Sequence, residues 1–116
     1  MFFRGTAMAY DPELEARIDL AALHWPGLGK KKMFGGVGYL LNGNMAFGIL
    51  KRSLVVRCGP EAQGRYLALP GVSVFDVTGR PMAGWLLVAA DAIEADADLQ
   101  RWLEAGMRFA ASLEPK

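Results

Sequence analysis

The chain has 116 residues, of which 53% are hydrophobic and 22% charged, and its formal net charge is +1. This length predicts one domain with a real hydrophobic core, and the near-zero charge excludes a global field that would attract nucleic acid or a membrane surface. A single cysteine, Cys58, excludes an internal disulfide and fits a reducing compartment.

The first ten residues are predicted to form a flexible tail. They are too short and too weakly apolar for a secretory signal, and no apolar run in the chain approaches the roughly 20 residues that span a bilayer. We therefore expect a cytoplasmic protein with no membrane association, and Met8 is an alternative start. The domain itself is expected over residues 11–113.

The first predicted helix runs from about Pro12 to Leu23. Asp11 is a suitable N-cap, because its carboxylate can accept a hydrogen bond from a free backbone amide, and proline suits the first helical position. The helix is expected to end at Trp25-Pro26-Gly27, since proline keeps the preceding residue out of the α region.

The next stretch, from Lys30 to Cys58, predicts an antiparallel meander. Candidate strands cover residues 30–34, 37–41, 45–50 and 54–58. Gly35-Gly36 predicts a bulge or the close passage of another segment. Asn42-Gly43-Asn44 predicts a hairpin turn, because Asn and Gly accept the positive φ that such turns require.

Alternation in the meander predicts which side chains share a face. Met45, Phe47 and Ile49 are expected on one face of their strand, with Ala46 and Gly48 on the other. Cys58 is in phase with the preceding apolar residues of the last strand, which predicts a buried, inert thiol. One face of the sheet is therefore expected to lie under helices.

The second half of the chain predicts a short helix, a strand pair and a terminal helix. The helix covers residues 61–69, and the strands cover 72–75 and 84–88. Asp96 or Asp98 is expected to cap the last helix. Its apolar stripe comprises Leu99, Trp102, Leu103, Gly106, Phe109, Ala110 and Leu113.

Together these elements predict an α+β fold with two layers. We expect an antiparallel sheet of about five or six strands, made of the meander and the strand pair and flanked by helices, the first and last of which cover its apolar face. Trp85 and Trp102 are expected in the core, and Trp25 is expected to cover the end of the first helix.

No group of residues forms a strong chemical motif. The glycines at positions 35, 36 and 38 lie between strands rather than at the start of a helix, so they do not predict a nucleotide loop. His24 is the only histidine and Cys58 the only thiol, which makes a metal centre or a nucleophilic pair unexpected. The acidic residues near Asp96 are interpreted as favourable charges before a helix. We predict no enzyme activity, no cofactor and no metal.

Positive charge is concentrated in the meander. The six basic residues are Lys30, Lys31, Lys32, Lys51, Arg52 and Arg57. If the meander brings the start of its first strand near the turn at Lys51, these residues form a basic edge. Such an edge contacts phosphate groups, or it protects a sheet edge against aggregation; the sequence leaves both interpretations open.

Three segments of the meander resemble one protein family. They are KMFGGVGY at 32–39, NGNMAF at 42–47 and LVVR at 54–57. They resemble the TfoX (Sxy) N-terminal domain family of bacterial competence regulators, and the likeness covers about residues 11–113. The motif positions are Lys32, Met33, Phe34, Gly35, Gly36, Gly38, Tyr39, Gly43 and Phe47. The chain departs from the family pattern at Arg57, where lysine is common, and at Trp85, where tyrosine is frequent.

The resemblance implies a regulatory role rather than catalysis. Full-length members are positive regulators of DNA-uptake genes and act with the cyclic-AMP receptor protein, whereas this chain resembles stand-alone N-terminal members. We therefore expect a non-enzymatic module that contacts the transcription machinery or a cyclic-AMP-receptor-type regulator. Direct nucleic-acid binding through the basic edge, a ligand pocket or small enzyme site around residues 35–39, and a homodimer formed through a sheet edge stay open as alternatives.

Overall fold

A computed structural model describes residues 10–33, 35–76 and 79–116, so Phe34 of the motif and residues 1–9 of the predicted tail lie outside the described residues. The helices are α1 (Pro12–Ala21), α2 (Pro60–Leu67) and α3 (Asp96–Ala111), with single 3-10 turns at Ala22–His24 and Ala90–Ala92. The strands are β1 (Leu28–Met33), β2 (Gly36–Leu41), β3 (Asn44–Leu50), β4 (Ser53–Arg57), β5 (Val72–Val74) and β6 (Trp85–Val88).

All six strands form one antiparallel sheet in the order β1-β2-β3-β4-β6-β5. The predicted α+β fold is confirmed, with the meander followed by the strand pair. The first strand begins two residues earlier than predicted, at Leu28, and the first helix changes to a 3-10 turn after Ala21. No helix among the described residues is long and apolar enough to cross a membrane.

The start of the domain is fixed by backbone bonds and a cap. Tyr10, the last residue of the predicted tail, forms a parallel bridge with Lys51, and the Asp11 amide donates to the Lys51 carbonyl over 2.7 Å. The Asp11 carboxylate accepts a hydrogen bond from the Glu13 amide over 2.9 Å, which confirms Asp11 as the N-cap of α1.

The cap predicted for α3 is wrong. Ala95 occupies the N-cap position, and its side chain makes no capping bond. Asp96 is the first helical residue, and its carboxylate lies 3.1 Å from the Arg17 guanidinium of α1. Asp98 pairs with Arg101 one turn on. Both acids still lie in the first turn, where negative charge favours the helix.

The β2–β3 hairpin turns where the sequence predicted. Asn42 and Gly43 have φ values of 54° and 83°, the left-handed conformation that a two-residue hairpin turn requires. The strands then pair from Leu41 and Asn44 onwards.

A bulge in β3 overturns the predicted faces. Tyr39 pairs with Phe47, but the next residue, Leu40, pairs with Met45, so Ala46 is an extra residue. Because the side chains of a strand alternate between the faces, one extra residue moves Met45 to the face opposite Phe47. Ala46 is fully buried in the core instead.

The hydrophobic core lies between one face of the sheet and the helices. Ile18 of α1 and Leu103 of α3 are fully buried there, together with Phe47. The rings of Tyr39 and Trp25 lie 5.2 and 6.3 Å from the Phe47 ring. In the stripe of α3, Leu99, Trp102, Leu103, Gly106 and Ala110 are buried as predicted, while Phe109 and Leu113 are partly exposed.

Candidate functional site

The second face of the sheet carries a cleft of about 510 Å³, which we call the open-face cleft. The cleft is lined by Met33, Val37, Met45, Ile49, Leu50, Val55, Phe75, Arg80, Pro81, Met82 and Trp85. None of these residues belongs to a helix, and Arg80 is the only charged one among them. The sequence analysis predicted a single apolar face and therefore missed this surface.

Two facing glycines lie beneath methionines of the cleft. Gly38 of β2 pairs with Gly48 of β3, so neither strand carries a side chain at this point of the sheet. A Cβ atom added at Gly38 would lie 2.8 Å from the Cε of Met33, and one added at Gly48 would lie 2.7 Å from the Cε of Met45. The glycines therefore make room for two flexible thioether side chains, an arrangement suited to adaptable apolar binding.

The tryptophan of the cleft was predicted in the core, and that prediction is wrong. Trp85 is only partly buried, and its ring lies 6.0 Å from Phe75 of the cleft wall. The Arg57 guanidinium lies 5.1 Å from the centre of the Trp85 ring, within the range of a cation–π contact. Trp102 is buried as predicted and lies 5.1 Å from the ring of Tyr66.

The described residues of the cleft offer no group suited to covalent or acid–base chemistry. Its described lining contains no carboxylate, histidine, hydroxyl or thiol, so nothing in it can act as a nucleophile or general base. The convergent polar groups that a small enzyme site at residues 35–39 would need are not found among the described residues of this face.

Lys30, one of the predicted basic residues, forms ion pairs with two acids of α1. The Nζ atom of Lys30 lies 2.6 Å from Glu15 and 2.9 Å from Asp19, and the Tyr39 hydroxyl donates to Asp19 over 2.8 Å. Burial alone would lower the pKa of Lys30, but the hydrogen bonds to Glu15 and Asp19 outweigh it and the pKa is raised. Burial, followed by the bond to Asp19, also raises the pKa of Tyr39.

Four other basic residues lie at one end of the sheet. Lys31 and Lys32 are exposed on the edge strand β1, and Lys51 and Arg52 are exposed at the β3–β4 turn. Lys32 pairs with Val37, which pairs in turn with Ile49, so two strand spacings, about 10 Å, separate Lys32 from the strand that leads into the turn. We call these four residues the lysine edge.

Arg57 is not part of the lysine edge. It lies at the far end of β4, opposite Trp85 in the register, and its guanidinium is 5.4 Å from the Phe109 ring. Lys51 and Arg52 come just before β4, whereas Arg57 is its last residue. The strand therefore separates Arg57 from the lysine edge. Of the six predicted basic residues, the structure therefore groups four, pairs Lys30 with acids and places Arg57 elsewhere.

The thiol and the imidazole are far from forming a pair. Cys58 is buried and donates to the Gly59 carbonyl over 3.3 Å, whereas His24 is exposed at the end of the 3-10 turn after α1. The two residues line different clefts. Among the described residues, no three His, Cys, Asp or Glu side chains are grouped so that they could hold a metal ion.

The state of Cys58 gives a direct test of this packing. Burial raises the pKa of the Cys58 thiol, which lowers the fraction of reactive thiolate. We expect the folded protein to react with Ellman's reagent at least about tenfold more slowly than the protein in concentrated guanidinium chloride. Equal rates in the two states would contradict a buried thiol at this position.

Comparison with models of known protein families gives a match. The sequence model of the TfoX N-terminal domain matches residues 20–110, which is more than half of the chain. The matched region contains the Gly38–Gly48 pair, the lysine edge and most of α3. No curated protein matches the chain.

Proposed function

The chain belongs to the TfoX N-terminal domain family, and on that premise we propose that it is a non-enzymatic regulatory module that binds a protein of the transcription machinery in the control of competence. The observation that carries this proposal is the family match over residues 20–110. A cyclic-AMP-receptor-type regulator is the partner that we propose first.

The positions of the motif residues indicate that the motif maintains the fold. Gly36 lies against the backbone of β3, Gly38 makes room for Met33, and Tyr39 and Phe47 pack in the core. None of them presents a reactive group to solvent. A motif with these roles preserves a scaffold, and the surfaces of that scaffold then make the contacts.

We propose the lysine edge as the contact surface for the protein partner. Exposed Lys31, Lys32 and Arg52 have no acidic partner among the ion pairs of the described residues, in contrast to Lys30. An unpaired charged patch increases the rate of association with a partner of opposite charge and helps to select that partner. An acidic surface on the partner is therefore expected.

The same patch is the reason for a second candidate function, direct binding of nucleic acid. Lysine and arginine side chains at one end of the sheet can contact phosphate groups without any catalytic residue. This alternative predicts an affinity that falls steeply with salt concentration. It differs from the first proposal in the nature of the partner, not in the residues used.

A nuclease-treated, crosslinked pull-down of the tagged protein separates these functions. The test variant carries Lys31→Glu, Lys32→Glu and Arg52→Glu, and the control carries Arg65→Glu, Arg101→Glu and Arg108→Glu, which are exposed on the helices and change the charge equally. We expect the wild type and the control to recover a transcription protein that the test variant loses.

Two other outcomes would redirect the proposal. Loss of every partner after nuclease treatment would favour nucleic-acid binding through the same residues. Recovery of the tagged chain with only its own copies would contradict the regulatory module and support self-association through a sheet edge.

A further inference from the structure

We propose that the open-face cleft is a binding site for a small apolar carboxylate, with the apolar part of the ligand on the sheet and its carboxylate on Arg80. This proposal goes beyond the regulatory function and does not depend on it, because it concerns the face of the sheet and not the lysine edge.

The dimensions of the cleft suit a small molecule. Its volume of about 510 Å³ lies within the range of roughly 300–1,000 Å³ that is typical of small-molecule sites. Val55 of β4 lines the cleft from the sheet, while Phe75 and Met82, from the chain between β5 and β6, form a side. The cleft is thus walled by a second segment and is not a flat sheet face.

The lining chemistry selects an apolar ligand body. Met33, Met45 and Met82 provide thioether side chains that can change shape around a ligand, and Trp85 provides a flat aromatic wall. Filling such a cleft removes apolar surface of both protein and ligand from water, which favours binding in proportion to the apolar area removed. No polar contact is needed for this part of the affinity.

The positive charge of Arg80 favours a ligand with a negatively charged group at its other end. Among the described residues of the lining, Arg80 is the only charged one, and it is exposed at the edge of an otherwise apolar site. Its planar guanidinium matches a carboxylate, which can accept two parallel hydrogen bonds from it. A cationic ligand would meet this positive charge with no acidic residue in the lining to offset it.

Two other clefts among the described residues have a different character. The cleft beside Cys58 is lined by Glu61, Arg65 and Arg108 among others, and the cleft beside Trp102 is lined by acids and arginines together. Mixed charge of this kind is typical of a solvated surface. Neither of these two clefts combines an apolar lining with a single cation, as the open-face cleft does.

Methionine methyl NMR provides the test, with decanoate as the probe. In protein labelled with ¹³C at the methionine methyl groups, decanoate is expected to shift the signals of Met33, Met45 and Met82. Met107 of α3 packs against the core and is the internal control, so its signal should not move. Shifts at Met107 equal to those in the cleft, or no shifts at the three cleft residues, would overturn the proposal.

A second arm isolates the role of Arg80. Decanoate is expected to bind about tenfold more tightly than decan-1-ol, the effect of one charge-assisted hydrogen-bonded pair. Arg80→Gln should remove that advantage and leave decan-1-ol binding unchanged, while Arg101→Gln, at an exposed arginine of α3, should change neither. Equal binding of the acid and the alcohol to the wild type would overturn the carboxylate assignment.

Discussion

Gly36→Ala is expected to destabilise the domain by about 3 kcal/mol, measured as the free energy of unfolding in urea. A Cβ atom at position 36 would lie less than 3.0 Å from the carbonyl oxygen of Ile49, a backbone atom of β3. Backbone cannot move aside as a flexible side chain does, so relief requires the separation of β2 from β3 in the middle of the meander. The effect would show that this motif glycine is needed for strand packing.

The matched control is Gly29→Ala on the edge strand β1. A Cβ atom there would lie 3.7 Å from the Leu40 carbonyl oxygen, an ordinary contact, and the position is exposed. We expect a change within about 0.5 kcal/mol. If the two alanine variants unfold at the same urea concentration, the close approach of β2 and β3 at Gly36 is not what constrains this position.

Gly106→Ala is expected to cost about 2 kcal/mol, although alanine favours helix by about 1 kcal/mol over glycine. α3 crosses the sheet at this point, and a Cβ atom at position 106 would lie less than 3.0 Å from the carbonyl oxygen of Ala46 in the β3 bulge. The steric cost therefore exceeds the gain in helix propensity. Thermal or urea unfolding, followed by circular dichroism, measures the balance.

Gly64→Ala in α2 measures the gain in helix propensity without a steric cost. Nothing lies within 4 Å of the position that its Cβ would take, so only the gain remains, and we expect stabilisation by about 0.5–1 kcal/mol. The two substitutions are chemically identical and are predicted to have opposite signs. Stabilisation by both would mean that α3 does not press against Ala46.

Several features could be predicted from the sequence because they depend on residues that are close together in the chain. Asp11 caps α1 because a carboxylate beside a free amide needs no distant partner, and Asn42-Gly43 turns the chain because both residues accept positive φ. The stripe of α3 is readable because its spacing repeats over four turns. The resemblance of the motif to the TfoX N-terminal domain family agreed with the family match.

The candidate sites were predicted less well from the sequence, because they depend on contacts between distant parts of the chain. The extra residue Ala46 leaves no mark in a short alternating strand, yet it moves Met45 to the open face. Trp85 reads as a core residue because an apolar strand does not reveal which of its faces is covered. The basic edge was predicted from six residues, but Lys30 pairs with two acids on α1 and Arg57 lies at the other end of its strand.

Local sequence information was thus enough to predict the order and type of the elements, the α1 cap, the hairpin turn and the family, because each depends on neighbours within a few residues or on a contiguous motif. The β3 register, the second apolar face and the grouping of the basic residues are visible only in the folded chain. Each of these depends on pairing between residues far apart in the chain, and a shift of one residue in pairing reverses which face a side chain occupies.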